Sequence, residues 1–136
     1  MSSASAAAWL ETAAKDIDAV RRSLMPLPDQ NLEMAAYHTQ QAAEKGVKAL
    51  LTHLGIACAR GRHGHDIALA AAGIPASHRL AGDAQALGAL TPWATAWRYP
   101  ADDPATAAPL PEAAEIEQWA EKVEAFLNAV MLEIAP

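Results

Sequence analysis

Within the stretch YHTQQAAEKGVKALL, residues 37–51, Tyr37, Gln41, Glu44 and Lys48 follow one another at spacings of four, three and four. That spacing brings them to one side of a helix. A phenol, an amide, a carboxylate and an ammonium gathered there could form one wall of a site. The same four residues also describe a wetted surface with one i,i+4 ion pair, worth roughly a few tenths of a kcal/mol.

Other chemistry-bearing residues are scattered. His63 and His65, two apart in the loop GIACARGRHGH, could reach one ion. No third ligand is evident beside them, because Asp66 serves better as a helix cap, so no metal is expected. Cys58 has only arginines nearby and makes a poor nucleophile. Neither a Walker-type nor a dinucleotide glycine pattern is present, and no cofactor is expected. Trp93, Trp97 and Tyr99 could stack on a base, although Trp97 also reads as core and Trp93 as partly exposed. Arg98 ends a helix beside Tyr99, where it could grip a phosphate in bidentate fashion or pair with Asp102 or Asp103.

Helices must position these groups. Leu10, Ala13, Ile17, Val20 and Leu24 predict a first helix over 5–25, stopped by Pro26 and Pro28. A second runs from about 31 to 54, with Asp29 or Asn31 as N-cap and Gly55 past its end. On its wheel Ala36, Thr39, Ala43, Val47, Leu50 and Leu54 share a face, and the polar four lie roughly 110° round from it, bordering the core. Gly46 sits beside that face, where a neighbouring helix could pack closely. Asp66 caps a short helix over 67–72. A fourth helix spans 77–97, kinked or restarted at Pro92 with Thr91 as N-cap. RYPADDPATAAPLP is a loop, and the last helix, 112–134, buries Ile116, Trp119, Val123, Phe126, Leu127 and Val130.

The expected architecture is all-α, one domain over residues 1–136: an antiparallel bundle of four long helices plus one short helix. Composition agrees, since 52% of residues are apolar, with alanine the commonest of them, and only 5% are aromatic. No stretch suggests a membrane span, and the N-terminus lacks the positive region of a signal peptide. Cys58 has no partner for an internal disulfide, which suits a reducing cytosol. Net charge is −6, but unevenly spread: Lys45, Lys48, Arg60 and Arg62 stand against Glu44 alone over 37–65, whereas 110–136 carries six glutamates against Lys122.

The opening stretch resembles the second helix of HEPN domains (higher eukaryotes and prokaryotes nucleotide-binding), where an aromatic, a His, paired glutamines and an A-x-E-K-x-x-K-A-L run are typical. GHDIALA at 64–70 looks like that family's G-H-[DNS]-L segment, and RYP at 98–100 looks like its R-Y-P after the fourth helix. Motif order and spacing agree from about residue 9 to residue 130. The resemblance, to the small stand-alone prokaryotic type, implies a helical bundle, usually a homodimer. It also implies a minimal nucleotidyltransferase as partner in a toxin–antitoxin module. Its toxic members are metal-independent ribonucleases with an R-x4–6-H motif. Arg98 matches the Arg, but the YPADDPATAAPLP that follows contains no His, and Arg60 with His65 has the spacing in the wrong loop. No imidazole is therefore placed to move a proton. The reading that follows is a non-catalytic binder of a nucleotide or RNA phosphate, using Tyr37, Gln41, Glu44, Lys48, His65, Arg98 and Tyr99. A ribonuclease with a histidine supplied from elsewhere, and a structural dimeric adaptor, are the alternatives. Circular dichroism is expected to be dominated by helix, and a substantial β signal would overturn the fold and the resemblance together.

Overall fold

Ser5 holds an extended conformation (φ −71°, ψ 161°) and its hydroxyl accepts the amide of Ala8, so helix α1 starts at Ala6 and runs to Ser23. This start lies in a computed structural model that describes residues 5–58, 64–97, 103, 105 and 108–135. Helix α2, Leu32–His53, opens in the same way at Asn31, whose side chain accepts the Met34 amide at 3.0 Å. It ends before Gly55, the one described residue with a left-handed backbone (φ 74°), which glycine adopts without strain. Asp66 caps α3, Ile67–Ala72, through the Leu69 amide. Helix α4, Ala81–Ala86, passes directly into a 3₁₀ segment, Leu87–Ala94, and α5 spans Ala113–Ile134. No strand occurs among the described residues.

The expected helix over 77–97 is realised only in part. Residues 75–80 form turns, in which the His78 amide donates to Pro75 O and the Leu80 amide to His78 Nδ1. The tightening to 3₁₀ geometry carries the chain through Pro92, which lacks an N–H and cannot sit inside an α-helical ladder. Thr91 does not cap a restarted helix. Its hydroxyl accepts the Ile67 amide at 3.1 Å and so satisfies the first turn of α3.

Residue pairs give the helix directions. Trp9 faces Lys48 and Asp16 faces Lys45, so α1 and α2 are antiparallel. Gly46 meets Leu127 and His53 approaches Glu133, so α2 and α5 run in the same sense. The larger core cluster joins Ala13 and Ile17 of α1, Val47, Leu50 and Leu51 of α2, Leu87 and Leu90, and Val123 and Val130 of α5. A smaller one holds Val20, Ala35, Ala36, Ile116 and Ala120, with Trp93 and Trp97 against it. Trp119, expected in the core, is half-buried and lies under Lys122, whose Nζ is 4.7 Å from its ring centroid.

Alanines at 35, 36, 42, 43 and 49 are fully buried, and Gly46 lets α5 come closer still. A Cβ there would stand 2.7 Å from Leu127 Cδ2 and 3.3 Å from Phe126. Gly46→Val should therefore destabilise the fold by about 2 kcal/mol, as overpacking does. Gly82→Ala, in a helix position with open space, should stabilise it by about 0.5 kcal/mol. Chemical denaturation of both variants checks the pair, and a neutral Gly46→Val would deny the close approach.

Candidate functional site

Helix α2 places a carboxylate where water scarcely reaches. Glu44 is only 5% exposed, and a buried charge must be met by donors. Lys48, one turn on, donates to its Oε2 at 2.9 Å. His65, from the turn before α3, brings Nδ1 to within 2.8 Å of Oε1. Gln40 donates to the same Oε1 and to the His65 carbonyl, at 3.3 Å each, and its own Oε1 accepts from Gln41 at 2.6 Å. Lys48 also lies over the Trp9 ring, 5.3 Å from the centroid, which joins α1 to the cluster. A carboxylate only accepts, so Nδ1 carries a proton and donates it to Glu44, while Nε2 accepts in the neutral ring and donates in the imidazolium. The imidazole itself is largely exposed, at 63%.

The structure brings together some of the residues expected to form one wall. Glu44, Lys48, Gln41 and His65 come together, and Glu44 orients Lys48. Gln41 is buried and its amide nitrogen is committed to Gln40. Tyr37 lies edge-on to His38, with ring centroids 5.3 Å apart. It lines a separate cleft of about 330 Å³ with Glu33, Met34, Trp93 and Trp97. Trp97 is half-buried, its indole N–H bound to the Ala108 carbonyl, and Trp93 meets it edge-to-face at 6.0 Å. Arg98 and Tyr99, like Arg60, Arg62 and His63, lie outside the described residues.

Sequence reasoning passed over two members of these networks, Gln40 and Asp16. Gln40 is fully buried at the centre of the network. Asp16, 7% exposed, accepts from Lys45 at 2.7 Å through Oδ2 and pairs with His38 Nδ1 at 2.8 Å through Oδ1. On a helical wheel Gln40, Glu44, Tyr37, Lys48, Gln41, Lys45 and His38 fill one arc of roughly 160°. The available signal was an Asp inside the apolar stripe of α1, beside Ile17, and a His–Lys pair seven residues apart on α2. A third hub was also unforeseen. Glu133 of α5 accepts from His78 Nε2 at 2.9 Å and lies 3.8 Å from His53 and 3.3 Å from Arg79. His78 Nδ1 accepts the Leu80 amide, so its proton is on Nε2 and the ring serves as a clamp.

Among the described residues, no buried side-chain nitrogen or oxygen lacks a hydrogen-bond partner, and no group of three His, Cys, Asp or Glu could hold a metal ion. Nor is any described helix long and apolar enough to cross a membrane. A family model described as HEPN domain matches residues 6–134. No curated protein and no solved structure matches the chain at a significant level.

Removing Glu44 leaves Lys48, whose side chain is only 12% exposed, without its counter-ion. Glu44→Ala should cost about 3 kcal/mol, and a Glu44→Ala/Lys48→Met double variant should recover part of that. Urea melts of the two decide it, and strictly additive losses would show that the pair is not coupled.

Proposed function

The chain belongs to the HEPN domain family, and on that footing we propose that it is a non-catalytic module that binds the phosphates of a nucleotide or an RNA strand. Family membership supports a nucleotide- or RNA-related role. The observation that carries the finer reading is the buried Glu44 carboxylate holding Lys48 and His65 in fixed positions on one face. Such a carboxylate spends no contact on a polyanionic ligand directly. Its work is to keep an ammonium and an imidazole from wandering, so that less side-chain freedom is lost when a phosphate docks. The module works as a homodimer and with a minimal nucleotidyltransferase as protein partner, in a toxin–antitoxin-type pair. These assignments rest on the family resemblance of the YHTQQAAEKGVKALL, GHDIALA and RYP segments.

One observation favours a second reading. An imidazole whose Nδ1 is held by a carboxylate presents Nε2 as a proton acceptor, which is what a general base for a ribose 2′-hydroxyl requires. A ribonuclease built on His65 would use that atom.

Fluorescence anisotropy with a short single-stranded RNA, and with ATP as competitor, separates the readings. Binding should weaken with added salt and fall roughly tenfold, ~1.4 kcal/mol, in Lys48→Ala. Absence of measurable affinity for RNA and ATP would reject the binder. Cleavage of the RNA that disappears in His65→Ala would replace it with the enzyme.

A further inference from the structure

The cleft beside Tyr37 has a composition different from that of the Glu44 cluster. Among the described residues its walls are Met34, Tyr37, Trp93 and Trp97, with Glu33 as the carboxylate of the lining. The two indoles meet at 61°, and the Trp97 ring is fixed by its bond to the Ala108 carbonyl. A flat ligand entering this corner can stack on one ring face while the other ring closes against its edge. Glu33, exposed in the first turn of α2, sets what that ligand's polar edge must be, since a carboxylate offers two acceptors and no donor.

We propose that this cleft is a base subsite selective for guanine in a single-stranded RNA. Among the four RNA bases, guanine alone carries two adjacent donors on its Watson–Crick edge, N1–H and the N2 amino group, matching the two oxygens of one carboxylate. Adenine and cytosine each place a ring-nitrogen acceptor beside their amino group, and uracil flanks its N3–H with two carbonyls, so each turns a lone pair towards Glu33. At roughly 330 Å³ the space is sufficient for one base with its sugar.

Position along α2 then specifies a strand and not a mononucleotide. Tyr37 lines the cleft and Lys48 stands eleven residues further on, roughly 16 Å along the helix axis. A base in the cleft cannot bring its own 5′-phosphate that far, whereas the phosphate one or two nucleotides away can reach Lys48 and His65. This inference rests on the phosphate-binding reading for that second contact, and the cleft can be tested without it.

The experiment compares three fluorescein-labelled hexamers by anisotropy: all uridine, uridine with one central guanosine, and uridine with one central adenosine. The guanosine hexamer should bind about tenfold tighter than the other two. Glu33→Gln should erase that difference, and Lys48→Ala should weaken all three alike. Equal affinity for the three hexamers with the Lys48 effect intact overturns the guanine subsite and leaves the phosphate reading standing. Guanosine, which has no phosphate, tests the cleft alone by saturation-transfer NMR. Signal with the wild type that is lost in Glu33→Gln supports the subsite even where no hexamer binds, and no signal overturns it. Glu33 is exposed, so its replacement leaves the core untouched.

Discussion

A carboxylate on a helix that is covered on nearly every side has to find its donors within the protein, and the placement of Glu44 makes this a condition on the whole architecture. Lys48 is supplied by the helix itself, one turn away. The other donors are not local. His65 arrives only when the segment after α2 folds back, and Gln40 stabilises that return by donating to the His65 carbonyl as well as to Glu44. The carboxylate and the loop therefore fix each other. Losing either partner would strand a desolvated charge, which costs more than an ordinary contact is worth. Asp16 repeats the logic across the α1–α2 seam, where one buried anion is shared between His38 and Lys45.

Such networks need the helices to be close, and the closeness comes from what the sequence omits. Fully buried alanines along α2 and the bare Gly46 give up apolar area that larger side chains would have contributed. In exchange, the backbones approach until short side chains such as Asp16 reach across. The largest fully buried apolar side chains are Leu50, Leu51, Ile67, Leu90 and Ile116. A leucine-rich version of α2 would push α1 and α5 away, and the polar contacts would open to water.

What could be read from the chain beforehand divides along the same line. Asn31 and Asp66 were legible as caps because capping is a bond between a side chain and an amide two or three residues away. Gly46 and the Glu44–Lys48 pair were legible because helical periodicity fixes neighbours. Thr91 was not: its hydroxyl serves the Ile67 amide, twenty-four positions earlier, and no local rule points there. Asp16 was missed for a related reason. A lone acid within an apolar stripe signals only that something must meet it, and the residues that do so lie on another helix. The 3₁₀ segment through Pro92 is intermediate. The proline announced a break, but which geometry would carry the chain past it depended on how Leu87, Leu90 and Ala94 pack.

The charge balance limits how a polyanion could be held. The chain carries a net −6, and Lys48, the ammonium of the Glu44 cluster, is already matched by that carboxylate. Long-range attraction of the kind that draws nucleic acid to strongly basic proteins is therefore weak here, and beyond about 10 Å salt screens what remains. Affinity has to come from short-range terms: directed hydrogen bonds from groups that are already oriented, and stacking against flat aromatic faces. The fold places both along one helix, with the imidazole and ammonium near residues 44–48 and the indoles beside Tyr37. On the proposed reading, a ligand that spans both is extended, flat at one end and anionic at the other, and a single RNA strand has that shape.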